Sequence, residues 1–450
     1  MKVKVLSCLA FLVAASGLPA AEQPATLTLE QAIALALQNN YTIRQARAQY
    51  EEATGVVMTA RAAQLPTVSL DADYTKLDKN LLLTPQGEQI GQPESWSAGA
   101  NASQIVFAGG GIRAAVRASR SAEQAAIAAF ESAVQTSIYE VRTRYYVVLL
   151  ARERVGVQEQ SVKLLEEELA NARSRVRAGS GSPFEQLRAE VALANGQPPL
   201  IRARNDYRLA AVELLRVIGL PIGLWTADSV TGELRFQERE FDYEALLASA
   251  LSGRPEIRQL EHQVDAAGSN ITTAAANGRP SLAVFGGYQV KKSTFTAEFG
   301  ETVDGWNVGV QGSWAIFDGR ETRGRVRQAR SRLEQAQLAL DETRLGIEAE
   351  VRQAFSSYTE AAELVRASQR VVEQAEESLR LARSRYGAGA GTQLDVLQTQ
   401  VALTEARLNE AQALYEANVA MAGLERVAAL AGLPAGIERP GKVVAPADAR

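Results

Sequence analysis

The chain has 450 residues, one cysteine, one histidine and 6% aromatic residues, and its 48 Lys and Arg against 52 Asp and Glu leave a formal net charge of −4. That balance provides no footing for nucleic acid or for general attraction to an anionic surface. The only cysteine, Cys8, lies in the apolar run Val5–Ala15, so a chain cleaved after that run has no thiol for a disulfide, a Cys-ligated metal or a lipid anchor.

Residues 1–21 read as a secretory signal, with Lys2 and Lys4 ahead of the apolar run and the small residues Ala20 and Ala21 closing it. The rest of the chain is therefore expected outside the cytoplasm. No later stretch approaches the ~18 consecutive apolar residues of a membrane-spanning helix. Any passage through a membrane would have to be made by β-strands closed into a barrel.

A first unit spans residues 22–221. It opens with a helical pattern over Leu27–Ala63, ended by Leu65-Pro66. The apolar period then drops to two. Val68, Leu70, Ala72 and Tyr74 share one side of a strand at 67–75, and Trp96, Ala98, Ala100 and Ala102 oppose Ser97, Gly99, Asn101 and Ser103 in a second at 95–107. One face suits lipid and the other water, and each strand is near the ~9–11 residues of a tilted transmembrane strand. The polar segment Lys76–Glu94 between them predicts a solvent-facing loop.

Past Gly109-Gly110-Gly111 the helical period returns and continues to Ala178. Ile127, Phe130, Val134, Ile138, Val141, Tyr145 and Val148 recur in steps of three and four, as in a coiled-coil seam. At ~1.5 Å per residue, a helix over 111–178 is a rod on the order of 100 Å. A return helix at 183–218 follows, punctuated by Gly219-Leu220-Pro221. Within it, Asn195-Gly196-Gln197-Pro198-Pro199 predicts a kink or local break.

After a linker at 222–240, a second unit at 241–434 repeats the order: a helical pattern over Asp242–Ala276, strands at 281–290 and 306–317, a long helix at 320–388 and a return helix at 392–431, with a tail at 435–450. In its strands Leu282, Val284, Tyr288 and Val290 share a face, and Trp306, Val308, Val310 and Trp314 lie opposite Asn307, Gly309, Gln311 and Ser313. The two units also match residue by residue. Ala172-Arg173-Ser174-Arg175 returns 210 positions on as Ala382-Arg383-Ser384-Arg385, Trp96 returns as Trp306, and Glu140-Val141-Arg142 returns as Glu350-Val351-Arg352. An ungapped register over such a length makes the halves two copies of one structural unit.

Four strands cannot enclose a pore, and an open sheet edge cannot sit in lipid with unpaired amides. The chain must pool strands with other copies of itself. Two copies give eight strands and a filled interior, three give twelve with room for a channel, and strand physics alone does not choose.

The strand, Phe and Gly-rich turn of Ser103-Gln104-Ile105-Val106-Phe107-Ala108-Gly109-Gly110 and Ala315-Ile316-Phe317-Asp318-Gly319-Arg320, with the paired Ala-Gly-x-Gly-[Ser/Thr] hairpins, resemble the TolC-like outer membrane efflux proteins. This resemblance covers essentially all of the chain beyond the signal. It implies a mixed α and β membrane protein: a homotrimer with one twelve-stranded barrel in the outer membrane, four strands per chain, continued by a helical coiled-coil barrel in the periplasm of a Gram-negative bacterium. It further implies a passive exit duct for efflux or type I secretion, docked to a periplasmic adaptor (membrane fusion) protein and an inner-membrane transporter, with outer-membrane lipid around it.

The resemblance also places a gate at the helical tips. Asp395 matches the acid of the family's constriction ring, and Glu185 holds the equivalent place in the first unit. Gln398 stands where the family has a second acid, and Gly391 where it has a basic residue, while the aromatic Tyr386 is kept. A gate so depleted of ionic locks would be held by packing and hydrogen bonds. Adaptor docking is implied at Gly179, Ser180, Gly181 and Ser182 and at Gly389, Ala390, Gly391 and Thr392.

Other constellations are weaker. His262 reads as a structural or exposed helical histidine, and the arginines at 320, 323, 325, 327, 330 and 332 read as a solvated helix face rather than a tunnel lining. No nucleophile, base and orienter stand out, so no catalytic role, cofactor or metal is expected. The rival reading is an exported periplasmic coiled-coil scaffold whose strands are soluble hairpins.

Overall fold

The computed structural model describes residues 26–87, 91–222, 225–293 and 298–430. The signal at 1–21 and the tail at 435–450 lie outside the described residues. In chain order the elements are α1 (Leu29–Asn39), α2 (Tyr41–Ala62), β1 (Thr67–Lys76), β2 (Glu94–Ala108), α3 (Gly111–Arg177), α4 (Pro183–Ile218), α5 (Tyr243–Gly253), α6 (Pro255–Ala276), β3 (Ser281–Lys292), β4 (Thr302–Ser313), α7 (Glu321–Gly387) and α8 (Gln393–Val427). Both α3 and α7 have 67 residues.

The four strands form one antiparallel sheet in the order β1-β2-β3-β4, so the two hairpins are joined by β2 and β3. Pairs such as Tyr74 with Trp96, Ala100 with Tyr288 and Tyr288 with Trp306 align the apolar residues on one face. Serine, asparagine and aspartate line the other, where Asn101 donates to Asp71 at 2.9 Å and Asp73 accepts from Ser97. Trp306 is 78% exposed and Leu70 is 85% exposed, a surface that a water-soluble chain would ordinarily bury.

Local differences from the expected elements have physical causes. The first helical pattern divides at Asn40, a buried residue whose side chain accepts from the Thr42 and Ile43 amides and donates to the Val217 carbonyl at 2.6 Å. The second divides at Arg254-Pro255, with the proline in the first turn of α6 where its missing donor costs nothing. The fourth strand runs from Thr302 to Ser313 rather than over 306–317, because its partner β3 begins at Ser281 and pairs Ser281 with Ser313. The apolar residues Trp314, Ala315, Ile316 and Phe317 follow, but among the described residues no strand pairs with them. Nor does α4 break at Pro198-Pro199: it runs unbroken from Pro183 to Ile218. Both prolines are exposed, as are Ala194 and Asn195, so water reaches the carbonyls they leave without donors. Gly196 meanwhile lets α4 close on α3, since a Cβ there would stand 2.7 Å from Leu165 Cδ1.

The main cores sit at mid-length. Val141, Tyr145 and Leu149 of α3 meet Leu27, Leu214 and Leu234, and Val351 and Tyr358 of α7 meet Leu246, Ile257 and Leu424. The segment at 225–240 crosses one face of both long helices. Arg152 donates to the Val230 carbonyl at 3.2 Å, Tyr358 donates to the Arg239 carbonyl at 2.7 Å, and Arg366 pairs with Glu238 at 3.1 Å. Among the described residues no helix is long and apolar enough to cross a membrane.

Candidate functional site at the helical tips

The far ends of α3 and α7 turn back in the same way. In the first tip the Ser180 and Gly181 amides both donate to the Arg175 carbonyl at 3.0 Å, with Gly179 at φ +74°. In the second, Ala390 donates to the Arg385 carbonyl at 2.8 Å, with Gly389 at φ +75°. Glycine takes this left-handed backbone at no steric cost. Gly181 has a further reason: a Cβ there would lie 2.9 Å from that of Arg175.

Each return helix then starts on a capping box, in which a hydroxyl and an acid satisfy each other's amides. Ser182 caps α4, with Glu185 reaching back to its amide, and Pro183 occupies the first helical position. Thr392 caps α8: the Asp395 amide donates to its hydroxyl at 3.2 Å, and both its amide and its hydroxyl donate to the Asp395 carboxylate at 2.9 Å. The Thr392 amide, then its hydroxyl, holds the Asp395 carboxyl below the usual carboxylate range. Asp395 is thus a helix-starting acid that keeps its charge, and it is exposed, as is Gln398. Glu185 and Tyr386 are half-buried. Exposed Ser180, Ser182, Gly389, Ala390 and Thr392 put backbone and hydroxyls on the surface of the tips.

The two hairpins are stitched to each other within the chain. Arg175 of α3 lies over the Tyr386 ring, 4.6 Å from its centroid. Gln393, almost fully buried, donates to the Glu185 carbonyl at 3.1 Å. One level up, Gln400 donates to the Ser161 carbonyl at 3.1 Å, and Thr404 to the Ser161 hydroxyl at 3.2 Å. Burial first, and then the charge of Glu185, pushes the Tyr386 hydroxyl up. That hydroxyl is buried without a partner.

Glu168 was not among the sequence-expected residues, yet it is 7% exposed behind this seam. Burial pushes its carboxyl up, against a hydrogen bond from Gln393 and the charges of Arg383 and Arg175. One Glu168 oxygen and the Gln393 side-chain oxygen both lack donors. In sequence, Glu166-Glu167-Glu168 looks like a solvated face. The signal was its spacing: Glu168 follows Leu165 by three and precedes Ala172 by four, which puts it on the seam.

The chain is similar to several known proteins. The alkaline protease secretion protein AprF of Pseudomonas aeruginosa is 26% identical over 298 residues, covering 66% of this chain and 62% of AprF. The pyoverdine export outer membrane protein OpmQ of the same organism is 28% identical over 408 residues, covering 86% of this chain and 84% of OpmQ. The CmeC outer membrane channel of Campylobacter jejuni superposes with a TM-score of 0.77 at 19% identity, over 89% of this chain and 85% of CmeC, a likeness of fold. The family model of outer membrane efflux proteins matches residues 32–220 and 246–430, taking in both long hairpins and all four strands, and the chain therefore belongs to the outer membrane efflux protein family.

Proposed function

We propose that the chain is one third of an outer-membrane exit duct, the outer component of a tripartite efflux or type I secretion system. The observation that carries this reading is the four-stranded sheet, apolar on one face, with β1 and β4 as open edges at the end of helices on the order of 100 Å long. Such a sheet is stable in lipid only when copies join edge to edge, and three copies make a twelve-stranded barrel wide enough to conduct.

Side-chain exposure supports a head-to-tail ring. Val56 and Met58 of α2 and Leu187, Val191, Ile201 and Leu209 of α4 are exposed, as are Leu338, Leu345, Leu364 and Val371 of α7. The α2/α4 side of one copy and the α7 side of the next are then the two halves of a heterologous interface that closes at three. The matching lengths of α3 and α7 and their 210-residue spacing support two copies of one unit per chain, hence six similar units around the pore.

The duct conducts passively from a periplasmic adaptor and an inner-membrane transporter to the exterior. Its periplasmic end is the pair of tips, where Asp395 and Glu185 place rings of carboxylates around the narrowest opening and favour cations. Glycine-rich turns at 179–182 and 389–392 offer the adaptor its docking edge. AprF is named for protease secretion and OpmQ for pyoverdine export. The cargo class is accordingly set by the pump.

Outer-membrane fractionation with a detergent-resistant trimer is the expected result, and a soluble monomer would sink the reading in favour of a periplasmic scaffold. In planar bilayers Asp395→Ala should lower cation selectivity; an unchanged conductance profile would remove Asp395 from the constriction.

A further inference from the structure

The arginines that follow the strands are duplicated. Arg113, Arg117 and Arg120 lie on the first turns of α3, and Arg323, Arg327 and Arg330 lie 210 positions on, on the first turns of α7. Spacings of four and three put each trio on one helix face. All six are exposed, and none has an ion-pair partner among the described residues.

The orientation of that face follows from the helix repeat. Arg117 and Tyr145 are 28 residues apart and Arg323 and Tyr358 are 35, whole numbers of heptads, so each pair shares a face of the coiled coil. Tyr145 donates to the Thr231 carbonyl and Tyr358 to the Arg239 carbonyl, so this is the face crossed by the 225–240 segment. Opposite it, Ile112 and Ala115 line a cleft of about 460 Å³ together with Ser281 and Ser313, which belong to the polar face of the sheet. The polar sheet face thus continues into the Ile112 side of α3, and the apolar sheet face into the arginine side.

Above the arginines stand exposed aromatic residues, Phe107 at the end of β2 and Trp314 and Phe317 beyond β4. At the arginines' own height the neighbouring helices carry no acid over residues 57–62 and 268–276. Of the acids nearby, Asp318 accepts from the Arg320 and Thr322 amides at 3.0 and 2.8 Å, Glu321 pairs with Arg325, and Glu123 accepts from Thr54 at 3.2 Å, while Glu334, one turn past Arg330, forms no ion pair with it among the described residues. A trio spans about 10 Å along the axis and begins in the first turn of its helix, just past the turn that leaves the strand, within reach of a headgroup layer when long side chains turn upward.

We infer that these two arginine trios form a collar that binds the anionic headgroups of phospholipids in the leaflet facing the helical rods. The inference rests on the exit-duct reading, since it needs the strands in a bilayer. Phosphodiester headgroups complement an unpaired guanidinium belt contiguous with the lipid-facing strands and their aromatic girdle. In a trimer the collar holds six trios, just below the barrel.

The test is native mass spectrometry of the detergent-extracted trimer after exposure to phosphatidylglycerol, cardiolipin or phosphatidylcholine. Replacing all six arginines by Gln should cut anionic-lipid retention by about tenfold and leave phosphatidylcholine unchanged. Replacing them by Lys should keep most of it, and Arg370→Gln with Arg383→Gln, far from the collar, should leave it intact. Equal anionic-lipid retention by the wild type and the six-Gln variant overturns the inference. So does a changed ion selectivity in bilayers with lipid retention intact, which would put the arginines on the conduit wall. A protein that fails to fractionate with the outer membrane defeats the duct reading itself, whereas one that does so but shows no headgroup preference defeats the collar alone.

Discussion

The α3–α4 and α7–α8 tips share a backbone and differ in what fills the space behind it. Both reverse on a left-handed glycine, and both restart on a hydroxyl-acid capping box. Behind the first turn stands Val176; behind the second stands Tyr386, a half-buried ring under Arg175 with a buried hydroxyl that has no partner. Farther along, the first return helix carries Gly196, Pro198 and Pro199, where the second has Ala406, Leu408 and Asn409. Turn geometry is thus common to the two hairpins, and the side chains that fill the turns and the return helices are not. A moving element must be able to detach, and the attachments at Tyr386, Gln393 and Gln400 are the ones a gating motion would have to break.

The largest expected effect comes from erasing the proline difference. Replacing Pro198 and Pro199 by Ala restores two backbone donors in the interior of α4 and should stabilise that helix by about 3 kcal/mol. Amide exchange across residues 190–205 should slow toward that of the matching stretch of α8. Unchanged or faster exchange would mean that the prolines support the α3–α4 contact rather than merely being tolerated.

Next is the ring itself. Tyr386→Ala removes the half-buried ring and its contact with Arg175 and should cost about 2 kcal/mol, whereas Tyr386→Phe, which deletes only an unpartnered hydroxyl, should stay within about 0.5 kcal/mol. Thermal unfolding and protease cleavage at the tip read both. Equal losses from the two substitutions would show that the hydroxyl is bonded in the assembled protein.

The smallest and most pH-dependent effect is at Glu168. Its carboxyl is raised in the folded chain, so folding favours the protonated form, and ionisation above the ordinary value of 4.5 works against the fold. Glu168→Gln removes that penalty and supplies an amide donor for the lone Gln393 oxygen, a gain of about 1 kcal/mol at neutral pH. The gain should shrink as pH falls toward the ordinary carboxylate value, where wild-type Glu168 is also neutral. A pH-independent gain would assign the effect to packing alone.

Much of this protein is determined locally, and that part was legible in the chain itself. A period of 3.6 sustained over α3 and α7 specifies long rods, and a period of two over β1 to β4 specifies which face is apolar, because both patterns depend only on near neighbours in sequence. The glycine turns and the hydroxyl-acid spacings of Ser182 with Glu185 and Thr392 with Asp395 are local in the same way. Tertiary structure decided whatever needed a partner from far along the chain. Strand β4 ends where β3 stops pairing with it, the first helix bends at Asn40 because that side chain reaches the Val217 carbonyl, and Pro198-Pro199 leave α4 unbroken because packing on α3 holds the helix and water serves the freed carbonyls. The burial of Glu168 belongs to the same class, since α8 arrives from more than two hundred residues away to cover it.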